Sequence, residues 1–286
     1  MKLKKLVAIT LSAVMCMAAL TGCGGKSDSA KKTAKVIEVD LTDEQYAFGV
    51  DKDQPDLLKE VNQFVKDMKS DGTFDEICNR YFGDGTPVPV KSAAYDESKD
   101  QLVVATNAAF EPFEYMDGEN YVGIDMEIAK ALADKLGKEL VIQNMDFDAV
   151  CLSVGQHKCD VAMAGLTIKP DREEYVAFSD PYYSASQKLI TLSTDTEFDA
   201  CKTADDVNKI LEAKGSDLKI GFQNGTTGQF YCEGDDDWGF PGLKMESKGY
   251  KNGSLAVQDL LNENINYVII DSAPAESITS SINKMQ

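Results

Sequence analysis

From residue 101 onward the chain alternates short apolar runs with amphipathic ones. QLVVAT is an unbroken β-branched and apolar run and predicts a buried strand. YMDGENYVG places a D-G turn between two short extended pieces and predicts a hairpin. In DMEIAKALADKLG, Met126, Ile128, Ala129, Leu132 and Leu136 fall largely on one face of a helix, with Gly137 as its C-cap. ELVIQNM then predicts a strand, DAVCLSVGQ a helix and CDVAMAG another strand. A second set repeats the alternation: TADDVNKILEAK (helix), DLKIGFQNG (strand into a glycine turn), TGQFYCE (helix), SLAVQDLLNENI (helix) and NYVIID (a buried strand ending in an acid). Such alternation predicts an α/β protein with a parallel, doubly wound sheet. SDPYYSASQKLITLS, between the two sets, is extended and aromatic and predicts a crossing between lobes.

The stretch before residue 83 has a different pattern. Leu57, Leu58, Val61, Phe64, Val65 and Met68 form a helical stripe behind Pro55. SDG interrupts it. Thr73 and Glu76 have the T-x-x-E spacing of a capping box, and Phe74, Ile77 and Tyr81 share a face. This helix pair has only YAFGV as a neighbouring strand, so it must pack on elements formed later in the chain.

Composition narrows the function. Among 286 residues, 48 acidic side chains face 29 Lys and Arg, a formal net charge of −19. Phosphate recognition needs clustered Lys and Arg, so nucleic acid is excluded as a partner. His157 is the sole histidine, in the polar GQHKC turn, and is expected to be solvated. The cysteines show no metal-ligand spacing, so no metal site, cofactor or Ser-His-Asp machinery is expected. EGDDDWG has consecutive rather than alternating acids and predicts a solvated loop, not a cation site.

MKLKK followed by LVAITLSAVMCMAAL has the order of a secretory signal. The LTGC that ends it resembles the lipobox of bacterial lipoproteins. The resemblance implies a signal peptide over 1–22 and a lipid on Cys23. GGKSDSAKKTAK predicts a flexible tether over 23–34.

AGLTIKPDREEYVAFSDPYY, residues 164–183, resembles the extracellular solute-binding proteins of polar amino-acid ABC transporters (family 3 type). ATNAAFEPFEY, GIDMEIAKAL, the strand into NGTTG and YVIIDSAPAE extend the similarity over nearly all of 36–286. The resemblance implies a type II periplasmic-binding-protein-like fold: two α/β lobes joined by two crossing strands. In that family a piece like EQYAFGVDKDQPDLLKEVNQFVKDMKSDGTFDEICNRYFG comes last; here it comes first. The expectation is therefore a circularly permuted chain. Lobe I is expected from 46–188, with 83–101 as the joining loop, and lobe II from 35–45 and 189–286. Residues 46–50 should cross beside 184–192 as the second hinge.

The resemblance also implies roles. Arg172 would grip the α-carboxylate, Gly165 and Thr167 would contact the amino-acid head, and Thr227 would lie at a helix N-terminus. Asp271 would take the ammonium; Phe110 and Phe147 would wall the side-chain pocket. Asn107 and Gln223 stand where relatives often carry charge, and their neutrality points to a polar, uncharged side chain such as that of glutamine. Lys169, where Thr or Ser is usual, would lie at the surface or the cleft rim. The expected protein is a monomeric binding protein, anchored by lipid to the outer face of the membrane or in the periplasm. It would deliver a free amino acid to ABC transporter permease subunits and catalyse nothing. The alternative is an enzyme on the same scaffold, resembling cyclohexadienyl dehydratase, with Glu111 or Glu173 as general acid.

Overall fold

The computed structural model describes residues 31–285. The expected signal peptide and Cys23 lie outside them, as does all but the last few residues of the expected tether. The last residue of that expected tether, Ala34, opens the strand Ala34–Val36 and is buried. Among the described residues no helix is long and apolar enough to cross a membrane.

Two five-stranded sheets form the framework. In the first, 139–144, 101–106 and 161–162 run parallel, while 49–51 is antiparallel to 161–162 and 176–178 antiparallel to 49–51. In the second, 246–250, 219–223 and 267–271 run parallel; 187–192 is antiparallel to 267–271, and 34–36 antiparallel to 187–192. The expected purely parallel sheet is thus corrected: each sheet is mixed. In both, the antiparallel strands come from the segments near residues 34–51 and 176–192, which flank the two crossing strands rather than strand-helix-strand turns.

The crossing itself is a two-stranded ribbon, Glu44–Tyr46 against Tyr183–Ala185. It lies slightly ahead of the expected 46–50, because 49–51 is already part of the first sheet. Residues 187 and 188 likewise belong to the second sheet.

Helices Pro55–Ser70 and Thr73–Phe82 bury Val61, Phe64, Val65, Met68 and Ile77 in the same core as Leu102, Val104, Ile128, Leu132 and Val161. Polar ties fix the packing. Arg80 pairs with the buried Glu127, Tyr81 Oη donates to Glu127 (2.6 Å), and Asp180 N donates to Asn62 Oδ1 (2.7 Å). The expected capping box at Thr73 is absent. Gly72 is the N-cap at φ 86°, Thr73 N donates to Asp71 Oδ1 (2.9 Å), and Glu76 pairs with Arg80 instead. A left-handed residue is needed to turn from one helix into the next, and glycine takes that conformation without penalty.

The loop after residue 83 is held down rather than free. Val90 bridges Tyr121, and Ala93 N donates to Leu140 O (2.9 Å). Residues 34–42 run along the second lobe, where Ile37, Val39 and Leu41 join a core with Leu189, Phe198, Leu211, Ile220 and Phe222.

Candidate functional site

The two lobes meet along a cleft at the ends of their parallel strands. Pro170 starts a single helical turn, Pro170–Glu173, that holds Arg172 buried against the cleft. Its Nη1 donates to Thr167 O (2.6 Å) and its Nη2 to Gly225 O (2.8 Å), the second bond crossing between lobes. The guanidinium carbon lies 5.3 Å from the Phe147 ring centroid, a cation–π distance. A cavity of about 320 Å³ opens beside it, lined by Phe147, Cys151, Leu166, Gly225 and Phe230. That is the lower end of the range for small-molecule sites.

Thr167 links Arg172 to the acid groups. Its carbonyl accepts from Arg172, and its hydroxyl donates to Glu44 Oε2 at 2.8 Å. Glu44 Oε1 accepts from Thr42 Oγ1 (2.6 Å) and Gln187 Nε2 (3.0 Å). Two residues on, Tyr46 Oη donates to Asp271 Oδ1 at 2.5 Å. Asp271 ends the strand Tyr267–Asp271. Burial, and after it the charge of Glu44, push the Asp271 carboxyl up to about 7.

Gly165, at φ 53°, sits over aromatic rings: a Cβ there would come within 2.9 Å of Phe110 Cε1 and 3.3 Å of Tyr46 Cε2. Its N–H donates to Asp125 Oδ2 (2.9 Å). Asp125 also accepts from Tyr182 Oη (2.6 Å), and burial raises it to about 6. Glu114, between these acids, is fully buried with no bonding partner on either oxygen, and burial drives it well above the usual carboxyl range.

At Asn107 the groups are neutral. Its Nδ2 donates to Met145 O (2.7 Å), and its Oδ1 accepts from Gln223 Nε2 at 3.3 Å, across the lobes. Gln223 Oε1 is buried without a partner. The helix after NG is Thr227–Glu233, and its N-cap is Thr226, not Thr227; Thr226 Oγ1 donates back to Gln223 O (2.8 Å). Thr227 is buried in its first turn.

Lys169 is 3 % exposed, which corrects the expectation of a surface or rim residue. Its Nζ lies 3.0 Å from Asp171, 3.1 Å from Asp235 and 4.4 Å over the Phe230 ring. Asp235 therefore leaves the expected solvated loop to close a further interlobe contact. His157 is exposed but bonds Asp51 Oδ2 through Nδ1 (2.8 Å), and that hydrogen bond raises its pKa. Of the two acids the enzyme alternative needs, Glu173 is exposed, and Glu111 lines a separate groove with Tyr115 and Met285.

Glu44, Tyr46, Gln187, Asp125 and Glu114 were not among the expected site residues. A faint signal existed for the first two: in E-Q-Y the period of two puts Glu44 and Tyr46 on one face, and both are buried with Gln45 exposed between them.

Known proteins share this architecture. The pattern describing "Bacterial extracellular solute-binding proteins, family 3" matches residues 9–84 and 102–273. The arginine-binding extracellular protein ArtP of Bacillus subtilis is 29 % identical over 202 residues, covering 65 % of this chain and 75 % of that one. A solved structure of a Gly52Ala mutant of arginine-bound ArgBP from T. maritima aligns with a TM-score of 0.53 at 32 % identity, covering 65 % of this chain and 79 % of the other. An ancestral arginine-binding protein bound to glutamine aligns at 0.52 and 32 %, covering 64 % and 74 %. The two mixed α/β lobes joined by a crossing ribbon are the type II periplasmic-binding fold, and the chain belongs to the bacterial extracellular solute-binding proteins, family 3.

Proposed function

We propose that the protein traps a free amino acid between its lobes and hands it to the permease of an ABC importer, without catalysis. The observation that carries this reading is the linkage of Arg172 to Asp271 through Thr167, Glu44 and Tyr46 in one cleft. A zwitterion needs a guanidinium for its carboxylate and an acid for its ammonium, because buried charge without a partner is costly. On binding, the carboxylate takes the place of Gly225 O on the Arg172 fork, and Thr167 and Asp271 serve the head group. Phe110 and Phe147 supply the apolar walls. The relatives' names speak of arginine. In this chain the Asn107–Gln223 amide pair favours a polar, uncharged side chain such as that of glutamine. Mass spectrometry of ligand carried through purification, with calorimetry on glutamine, asparagine, arginine and histidine, tests this. The expected order has a neutral amide tightest; arginine binding tightest of all overturns the neutral assignment.

Lipid on Cys23 would hold the protein at the outer face of the membrane. Cys23→Ser should move it to soluble fractions, and retention on membranes with no lipid mass on the native chain would exclude the anchor.

The order of the chain is read as a circular permutation. In support, strand 49–51 lies inside the first sheet, helices 55–82 pack on that sheet, and the family match breaks between 84 and 102. Lobe I would then comprise about 47–186 and lobe II 34–43 with 187–285, as a monomer. A protease site placed at exposed residues 95–99 should give a nicked protein that stays in one piece and binds with unchanged affinity. Dissociation of the fragments, or a dimer by light scattering, would refute the permuted monomer.

A further inference from the structure

We propose that Glu44 keeps a proton on Asp271 until an amino acid enters, and that the ligand's ammonium displaces that proton to solvent. This rests on the amino-acid reading and concerns how the ammonium is received.

Among the described residues, no Lys, Arg or His bonds either acid; their partners are hydroxyl and amide groups. Glu44 is 2 % exposed and Asp271 3 %. Glu44 is anchored at both oxygens by Thr42, Thr167 and Gln187, none of which carries charge. Asp271 meets Tyr46 from the crossing strand and Gln187 from the neighbouring strand. From the hairpin, Glu114 is a third buried acid whose charge is opposed by those of Asp125 and Asp271, and Asp125 is bonded by Tyr182. From its own following helix, Glu276 turns away to pair with Lys188. The strand Lys219–Gln223 offers Gln223, which is neutral. The nearest basic group reached through the network is Arg172, committed to Thr167 O and Gly225 O.

Two carboxylates in a site of this burial cannot both be charged cheaply; a proton or an external cation must compensate. The proton serves when no ligand is bound. An ammonium supplies the same charge together with hydrogen bonds, so it replaces the proton one for one. Glu44 thus acts through Asp271 and is a positioning residue. It also explains why the crossing strand takes part: Glu44 lies in the ribbon that joins the lobes, so the charge balance of the site is held where hinge closure would act.

The test uses the full-length protein and the isosteric variant E44Q, with E44D as the charge-preserving control. First, the carboxyl carbon of Asp271 is titrated by NMR without ligand. The expected midpoint is near neutral in the native protein and in E44D, and lower by one pH unit or more in E44Q. An identical midpoint in native protein and E44Q overturns the proposal. Second, calorimetry with glutamine in two buffers of different ionisation heat, from pH 5.5 to 8.5, counts protons. The native protein should release close to one proton at pH 6 and bind about tenfold more weakly for each pH unit below neutrality. In E44Q both effects should shrink. Binding without proton release overturns the exchange alone. No binding of any amino acid at any pH overturns the amino-acid reading, and the exchange with it.

Discussion

Around Asp271, four carboxyl groups lie at 3 % exposure or less: Glu44, Glu114, Asp125 and Asp271. Around Asn107, the buried side chains that meet across the lobes are the amides of Asn107 and Gln223. Both regions join the two lobes. The first can reach charge balance only with protons or a cation; the second is neutral already. The difference separates two tasks of recognition. On the proposed reading, a head group common to all amino acids would be met by charge that the fold buries at some cost. The side chain that distinguishes one amino acid from another would be met by dipoles, which exclude a full charge through its desolvation rather than by repulsion.

The strongest way to break the comparison is to remove the charges proposed to serve the head group. Arg172→Ala and Asp271→Ala should each weaken amino-acid binding by about 2–5 kcal/mol, the usual result of removing one side of a buried charged contact. Calorimetry reads this directly, and circular dichroism checks that the fold persists. Near-native affinity in both variants would show that the head group binds elsewhere.

The acid region also predicts how stability depends on pH. A carboxyl whose pKa is raised on folding holds its proton more tightly in the folded state. Its contribution is therefore fully present below the unfolded value near 4 and is lost as pH rises through the folded value. For Asp125 the window runs from about 4 to about 6, and for Asp271 to about 7. Without ligand, the protein should lose on the order of 3 kcal/mol through Asp125 between pH 4 and pH 7. Melting temperatures should fall across that range. Asp271→Asn and Glu114→Gln should each flatten the fall. A melting temperature that rises from pH 4 to pH 7 would contradict the burial of these acids.

The amide region can be sharpened by giving it the charge it lacks. Asn107→Asp should shift preference toward arginine over glutamine by about tenfold or more, since a hydrogen bond to a charged group contributes about 1.5–3 kcal/mol. Competition calorimetry with the two ligands measures the shift. An unchanged ratio would mean that Asn107 does not face the ligand side chain.

The alternation of strands and helices was legible in the sequence because periodicity reports which faces are buried. The 164–183 stretch and Asp271 stood out by resemblance. The mixed sheets were not legible: whether 49–51 runs parallel or antiparallel depends on the crossing that delivers it, and three residues of extended chain carry no direction. The capping box failed for a related reason. The T-x-x-E spacing fits many helix starts, but the turn between the two helices needs positive φ at Gly72, and that places Thr73 one residue inside. Glu44 was hidden because an acid in LTDEQY looks like a solvated loop residue. Only the ribbon pairing of 44–46 with 183–185 turns it inward. Lys169 was misplaced likewise, since its partners Asp235 and Phe230 lie more than sixty residues away on the other lobe.

The smallest expected effect guards the pH argument against confusion. His157 is exposed, and its hydrogen bond to Asp51 raises its pKa. A histidine raised on folding stabilises below its unfolded value near 6.5, and that contribution disappears as pH climbs through the folded value. Its sign therefore matches that of the buried acids, but its window begins where Asp125 ends. The contact is solvent-screened, so its share should be slight and should diminish further with salt. His157→Ala should leave the fall in melting temperature between pH 4 and pH 6 intact and change only the part above. Should the substitution flatten the whole curve, the stability profile would belong to a surface histidine, and the contrast between the two regions would lose its support in stability.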